Sequence, residues 1–136
     1  MPDLDDAALR AILRETRTVA LVGASINPER ESNVIMEYLM KAGYRVVPVN
    51  PSYTQVLRQR CFPTVRAIGE PVDLVNVFRR SEAVPAVLED AAASGVRAVW
   101  LQPGVRHAAA EAAAREQGLN VVVNRCIAIE HQRLIT

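Results

Sequence analysis

Short runs of consecutive apolar residues alternate along the chain with longer stretches in which apolar residues recur every three or four positions. The runs are typical of strands buried on both faces, and the longer stretches are typical of helices with one apolar stripe. The runs predict strands at 18–23, 45–49, 72–78, 97–101 and 120–123. The periodic stretches predict helices at 5–16, 32–42, 83–94 and 108–117.

Residues between these elements indicate where they begin and end. Ser32 and Gly43 are placed to be the N-cap and C-cap of the second helix. The mostly polar residues 24–31 predict a loop, 61–65 a small extended piece, and 65–69 a short helical turn.

The alternation of strands with helices of roughly 10 to 15 residues indicates βαβ units and a parallel sheet. Right-handed crossovers then place helices on both faces of the sheet. The sequence therefore predicts a single α/β domain over 1–136, a doubly wound parallel sheet of about five strands, with an N-terminal helix within 1–17 packed on it. Ligands of such sheets bind outside the carboxyl ends of the strands, where the strand order reverses.

Composition narrows the choice of partners. The 136 residues include 16 Lys and Arg against 15 Asp and Glu, so no broad basic surface is expected for nucleic acid. No apolar run approaches the roughly 20 residues that a membrane helix needs, and charged residues occupy 1–15 where a signal peptide would be apolar. We predict a cytoplasmic protein with no nucleic-acid or membrane partner.

No catalytic or metal-binding set is visible in the sequence, although this leaves open whether the protein is an enzyme. Cys61 and Cys126 form no Cys-x-x-Cys pair and are expected to be free thiols. His107 and His131 are expected at the surface, because neither has a serine and an acid spaced for a relay. The acids within predicted helices are expected to be surface charge: Glu89, Asp90, Glu111 and Glu116.

Polar or glycine-containing clusters follow all five predicted strands directly. Because the carboxyl ends of parallel strands share one edge of a sheet, we expect these clusters on one rim. They are Gly23-Ala24-Ser25, Asn50-Pro51-Ser52-Tyr53, Phe78-Arg79-Arg80, Gln102-Pro103-Gly104 and Asn124-Arg125-Cys126.

The cluster after the first strand is suited to a phosphate. Gly23 and Ala24 leave backbone N–H groups accessible, Ser25 adds a hydroxyl, and the following helix adds the positive end of its dipole. The alternative is that Gly23 only permits a tight turn. The cluster is not Gly-x-Gly-x-x-Gly, and Asn50 stands where a dinucleotide-binding fold has an acid for the ribose, so NAD is disfavoured.

Arginines and a cysteine add further candidate chemistry to the rim. Arg30, Arg79 and Arg80 carry guanidinium groups that suit phosphate oxygens, with a solvated or salt-bridging role as the alternative. The charge of Arg125 could favour the thiolate of Cys126, and the alternative for this cysteine is a small buried hydrophobe.

Five strings in this order resemble the small stand-alone CoA-binding proteins, whose fold is similar to the N-terminal CoA-binding domain of the succinyl-CoA synthetase alpha subunit. The likeness extends from about Thr18 to Leu134. The strings are V-A-L-V-G-A-S at 19–25, Y-R-V-V-P-V-N-P at 44–51, V-F-R-R-S at 77–81, W-L-Q-P-G-V at 100–105 and N-R-C-I at 124–127.

The resemblance implies a Rossmann-like domain that binds coenzyme A, or an acyl-CoA, without catalysis in the predicted crevice. Ligase activity is not implied, since the catalytic phosphohistidine of the synthetase lies in a second domain. The matching positions are Gly23, Ala24 and Ser25 around a phosphate, Asn50, Pro51 and Tyr53 beside the nucleotide, Phe78 and Arg79 along the adjoining edge, and Gln102, Pro103 and Gly104 toward the pantetheine arm.

The last motif departs from the family, which commonly has Asp-Arg-Cys where this chain has Asn124. A neutral Asn124 would leave Arg125 freer to meet a phosphate or to activate Cys126. We hypothesise that the CoA thiol forms a reversible mixed disulfide with Cys126. Two other functions stay open: an NAD(P)- or nucleotide-sensing Rossmann module, and the CoA-binding subunit of a split acyl-CoA synthetase.

Overall fold

The structure is a computed structural model that describes residues 4–135, so the first three residues and the last residue of the predicted domain lie outside the described residues. Its strands are β1 (Thr18–Val22), β2 (Arg45–Val49), β3 (Gln55–Val56), β4 (Gln59–Arg60), β5 (Leu74–Val77), β6 (Ala98–Leu101) and β7 (Asn120–Val122). Its helices are α1 (Asp6–Glu15), α2 (Glu31–Lys41), α3 (Val84–Ala93), α4 (Ala108–Glu116) and α5 (Ile127–Ile135), with short 3-10 turns at Arg66–Ile68 and Ser81–Ala83.

Five of the strands form one parallel sheet in the order β2-β1-β5-β6-β7. The chain first winds outward from β1 to β2 and then returns to β5 on the other side, so the strand order reverses between β1 and β5. This confirms the predicted α/β, doubly wound, Rossmann-like sheet of about five strands. The reversal also marks the edge where such sheets bind ligands.

Side chains alternate between the two faces of the sheet, and helices cover both. One face carries residues such as Val22 and Val77, which pack with α3 and α4. The other carries residues such as Leu21 and Trp100, which pack with α1, α2 and α5. Because both faces are buried, the strands consist of consecutive apolar residues, as the sequence pattern indicated.

The N-terminal helix is fixed to the C-terminal helix by an ion-pair network. The Arg133 guanidinium contacts both Asp6 of α1 and Glu130 of α5, at 2.8 and 2.7 Å. Its hydrogen bonds to the Asp6 carboxylate hold the pKa of that group below its usual value. Among the described residues, no helix combines the length and hydrophobicity needed to cross a membrane, and the cytoplasmic location remains a prediction.

Two elements are absent from the sequence prediction, the β3–β4 hairpin and α5. The hairpin turns at Leu57 and Arg58, which both adopt positive φ angles of 47° and 63°. Hairpin turns of this kind normally carry Asn or Gly, so these two residues gave no turn signal. The predicted extended piece at 61–65 is real but short: Phe62 forms an isolated parallel bridge with Val49.

Two predicted boundaries are wrong. Ser32 is not the N-cap of α2, because Arg30 takes that extended position and Ser32 lies buried inside the first turn. The strand predicted from residue 72 begins at Leu74, and just before it the Asp73 carboxylate accepts hydrogen bonds from the N–H groups of Arg17 and Thr18.

Candidate functional site

A polar cavity of about 310 Å³ lies at the carboxyl ends of β1, β2 and β5. It occupies the point of strand reversal, where the fold predicts a ligand. Its volume is near the lower end of the range for small-molecule sites. Its lining residues are Gly23, Ala24, Ser25, Arg30, Glu31, Ser32, Asn50, Tyr53 and Phe78.

The β1–α2 turn forms the floor of this polar cavity. Gly23 has a φ of 89°, and a Cβ there would lie 2.0 Å from the carbonyl oxygen of Phe78. The N–H groups of Gly23 and Ala24 both point to the carbonyl of Val49, at 2.9 and 3.4 Å. The turn therefore requires glycine for its own packing. Of the three N–H groups in the Gly23-Ala24-Ser25 cluster, that of Ser25 donates to no described residue.

The start of α2 supplies further donors to the cavity. The first N–H groups of a helix have no intrahelical partner and favour anions. Arg30 stands directly before the helix, and the Ser32 side chain lines the cavity wall. Glu31 also lines the cavity, and it was not predicted as a site residue because a negative charge gives no signal for an anion site.

Asn50 has a structural role at the end of β2. Its Nδ2 donates to the Ala24 carbonyl at 2.8 Å, and its Oδ1 accepts from the Ser52 N–H at 2.8 Å. The side chain thus ties the end of β2 to the β1–α2 turn while still lining the polar cavity. Since it is an amide with both ends engaged, it cannot replace the ribose-binding acid of a dinucleotide site.

A second, mainly apolar cavity of about 230 Å³ lies on the α3 side of the same edge. The two cavities lie on opposite sides of this edge, because consecutive residues such as Val22 and Gly23, or Val49 and Asn50, line one cavity each. Pro51 and Arg79, both predicted site residues, line this second cavity. The other lining residues are Val22, Val49, Pro63, Thr64, Val65, Ala83, Ala86, Val87 and Asp90.

Three arginines lie at this edge of the sheet. Within residues 4–135, the structure records no ion pair for Arg30, Arg79 or Arg80, and all three are exposed. Arg80 lies next to Arg79 but lines neither cavity. Unpaired guanidinium groups beside a concave surface raise the local concentration of anions.

The Gln102-Pro103-Gly104 cluster lies outside both cavities. Gln102 is buried, and its Oε1 accepts hydrogen bonds from Asn76 Nδ2 and the Ile127 N–H, both at 3.1 Å. It therefore supports the rim from below, whereas Pro103 and Gly104 are exposed at the surface.

Two acids predicted as surface charge instead hold loops. Glu111 is buried and accepts hydrogen bonds from the Arg106 guanidinium and the His107 N–H. Burial alone would raise the pKa of Glu111, but these donors outweigh it and hold the pKa below its usual value. Asp90 is half-buried and accepts from the N–H groups of Val65 and Arg66.

The histidines are not plain surface residues either. His107 is half-buried and its Nδ1 accepts a hydrogen bond from the Ala110 N–H at the start of α4. His131 is half-buried on α5, with Nδ1 2.7 Å from the Tyr38 hydroxyl, and burial lowers the pKa of His131. Within 4–135, no group of three or more His, Cys, Asp or Glu residues is placed to hold a metal ion.

Arg125 and Cys126 lie between β7 and α5. The Arg125 guanidinium contacts the Glu130 carboxylate at 2.9 Å, so the idea that Asn124 leaves this arginine free is wrong. Cys126 is half-buried and lines neither cavity, whereas Cys61 is buried, which raises the pKa of the Cys61 thiol.

The family of CoA binding domains matches residues 17–132 of the chain. The chain belongs to this CoA binding domain family. The resemblance inferred from the five strings is thereby confirmed, and the family supports an association with coenzyme A.

The chain is similar to proteins of about its own length and to a small part of a longer protein. The uncharacterized protein YneT of Bacillus subtilis is 33% identical over 131 residues, which cover 96% of this chain and 97% of YneT. The ADP-forming acetate–CoA ligase I of Archaeoglobus fulgidus is 34% identical over 110 residues, which cover 80% of this chain but only 16% of the ligase. A hypothetical protein from Pyrococcus horikoshii has a solved structure with a TM-score of 0.96 and 40% identity, covering 98% of this chain and 94% of that one.

Proposed function

We propose that this CoA binding domain holds coenzyme A, or an acyl-CoA, across the two cavities that flank the carboxyl edge of the sheet. The observation that carries this proposal is the pairing of a polar cavity with an apolar one at the point of strand reversal. Coenzyme A carries charged phosphates beside an adenosine whose ring favours apolar contact, so this end of the molecule needs both kinds of surface. The proposed role is binding of this molecule, without catalytic turnover.

The phosphates are assigned to the polar cavity. The N–H groups of Ser25, Glu31 and Ser32 donate to no residue among 4–135, and the Arg30 guanidinium has no ion pair there. Charge-assisted hydrogen bonds to phosphate are stronger than neutral ones. Glu31 opposes an anion here, so the arginines must outweigh it.

The adenosine is assigned to the apolar cavity. Pro51 and Val87 offer apolar contacts to the adenine ring there. Arg79 lines the same cavity and is assigned to a phosphate of coenzyme A. The pantetheine arm then runs along the rim formed by Pro103 and Gly104, toward Cys126.

Isothermal titration calorimetry on the full chain tests the proposal. We expect coenzyme A and acetyl-CoA to bind, and NAD and ATP to bind far more weakly. NAD binding as tight as CoA binding would instead support a nucleotide-sensing module. Absence of CoA binding at millimolar concentration would refute the proposal.

Replacement of Arg79 by alanine should weaken CoA binding by about 1.5–3 kcal/mol, the range for a hydrogen bond to a charged group. This corresponds to roughly a 10- to 150-fold increase in Kd. The matched control is Arg97→Ala, because Arg97 is also exposed but lies at the amino end of β6, on the opposite edge of the sheet. Equal Kd values for the two variants would show that Arg79 does not contact coenzyme A.

A second candidate function is that of a CoA-binding subunit in a split acyl-CoA synthetase. The similarity to an ADP-forming acetate–CoA ligase, of which this domain matches a small part, favours it. Purification from the native host tests this alternative. A co-purifying chain that forms acyl-CoA from a carboxylic acid only together with this domain would support it, and a domain that purifies alone would count against it.

A further inference from the structure

Several hydrogen-bond donors without partners lie in or beside the first turn of α5. Gln102 is 2% exposed, and its Nε2 has no hydrogen-bond partner among the described residues. Its Oε1 accepts from the Ile127 N–H, so the carboxamide ends at the start of α5. The N–H groups of Ala128 and Ile129 donate to no described carbonyl, as is usual for the start of a helix.

A nucleophile lies at the same place. The carbonyl of Cys126 accepts the first hydrogen bond of α5, from the Glu130 N–H at 3.0 Å, so this cysteine occupies the N-cap position. Its thiol is half-buried and free, and Arg125 is turned toward Glu130. Cys126 also follows β7 at the edge of the sheet along which the pantetheine arm is proposed to run.

We propose that Cys126 accepts the acyl group of an acyl-CoA by thioester exchange. The inference rests on the proposed function, because it needs the thioester end of the ligand at α5. The Cys126 sulfur, having lost its proton to solvent, forms a bond to the acyl carbon. The bond from that carbon to the CoA sulfur breaks, and the CoA thiolate leaves and takes up a proton. One thioester replaces another, so no oxidant or further reactant is needed.

The unpartnered donors favour acyl transfer over disulfide exchange as the reaction of Cys126. The tetrahedral intermediate of acyl transfer carries a negative oxygen, which N–H groups stabilise, whereas disulfide exchange develops no such oxygen. The oxyanion site of the proposed step is therefore assigned to the N–H groups at the N-terminus of α5 and to the Gln102 amide. A polar amide this deeply buried with a free N–H is otherwise costly.

Intact-mass analysis of the full chain after incubation with acetyl-CoA tests the inference. A phosphine reductant in the buffer removes any mixed disulfide, so only a thioester adduct persists. We expect one acetyl group, released by hydroxylamine, on the wild type and on Cys61→Ser, and none on Cys126→Ser. An adduct that persists on Cys126→Ser would overturn the inference, as would an unmodified wild type that binds acetyl-CoA in calorimetry. A wild type that binds neither CoA nor acetyl-CoA would refute the proposed function itself.

Gln102→Glu tests the role of the free amide. The variant retains an oxygen for the Ile127 N–H and removes the free donor. We expect acylation to slow roughly 100-fold, the typical loss of one oxyanion-site donor, and the urea midpoint to fall, because the variant buries a carboxyl group in a site where Gln102 is 2% exposed. An unchanged acylation rate in a folded Gln102→Glu protein would contradict the oxyanion role.

Discussion

Replacement of Gly23 by alanine should destabilise the domain by about 2–5 kcal/mol, from the left-handed backbone conformation together with overpacking. An added Cβ would lie 2.0 Å from the Phe78 carbonyl oxygen, at a φ of 89°. The contact is with the backbone of the segment after β5, so no side-chain rotation can relieve it. Because the free energy of unfolding of a domain is about 5–15 kcal/mol, this is a large fraction of the total. Urea denaturation followed by circular dichroism measures the change.

Gly104→Ala is the matched control for that prediction. Gly104 has nearly the same φ, 87°, but the Cβ that alanine would add there meets no heavy atom within 4 Å beyond its chain neighbours. Only the conformational cost of about 1–2 kcal/mol is then expected. If the two variants unfold at the same urea concentration, the close approach of Phe78 has no energetic importance.

Consecutive apolar residues predicted the strands because both faces of the sheet are covered, and their alternation with helices predicted that the sheet is parallel. The same reasoning placed Gly23 and Asn50 at the carboxyl edge, where they line the polar cavity. The sequence order of the clusters sufficed for this, because parallel strands bring their carboxyl ends together.

Other features depended on tertiary contacts that no local pattern contains. Leu57 and Arg58 form a tight turn without a turn residue, because the pairing of β3 with β4 and the bridge from Phe62 to Val49 enforce it. Gln102 was predicted as a rim residue, but its side chain is buried because its Oε1 accepts hydrogen bonds from Asn76 and from the Ile127 N–H of α5. In each case a partner distant in sequence decides the conformation.

The rim is therefore built in two layers. The exposed Arg79 and the half-buried Ser25 line the cavities, while buried groups such as Gln102 and Glu111 fix the loops beneath them. A ligand that touches only the upper layer still depends on the lower one for the position of its contacts.

Replacement of Glu111 by alanine should destabilise the domain by about 2–4 kcal/mol at neutral pH, because it breaks a buried, hydrogen-bonded ion pair. The carboxylate is buried, whereas the Arg106 side chain is 47% exposed and can return to water, which keeps the loss below that for a fully buried pair. Glu116→Ala is the control, since Glu116 is exposed on the same helix and should change stability by less than about 0.5 kcal/mol.

We also predict that the loss of stability in Glu111→Ala depends on pH. The folded pKa of Glu111 lies below its usual value, so its unfolded form binds a proton first as the pH falls. The stabilisation is therefore complete above the unfolded pKa of about 4.3 and is lost as the pH falls through the folded pKa. Urea midpoints of wild type and Glu111→Ala should differ most at neutral pH and converge in acid. A constant difference across this range would show that the carboxylate charge makes no contribution, and that Glu111 holds the 102–107 loop by packing alone.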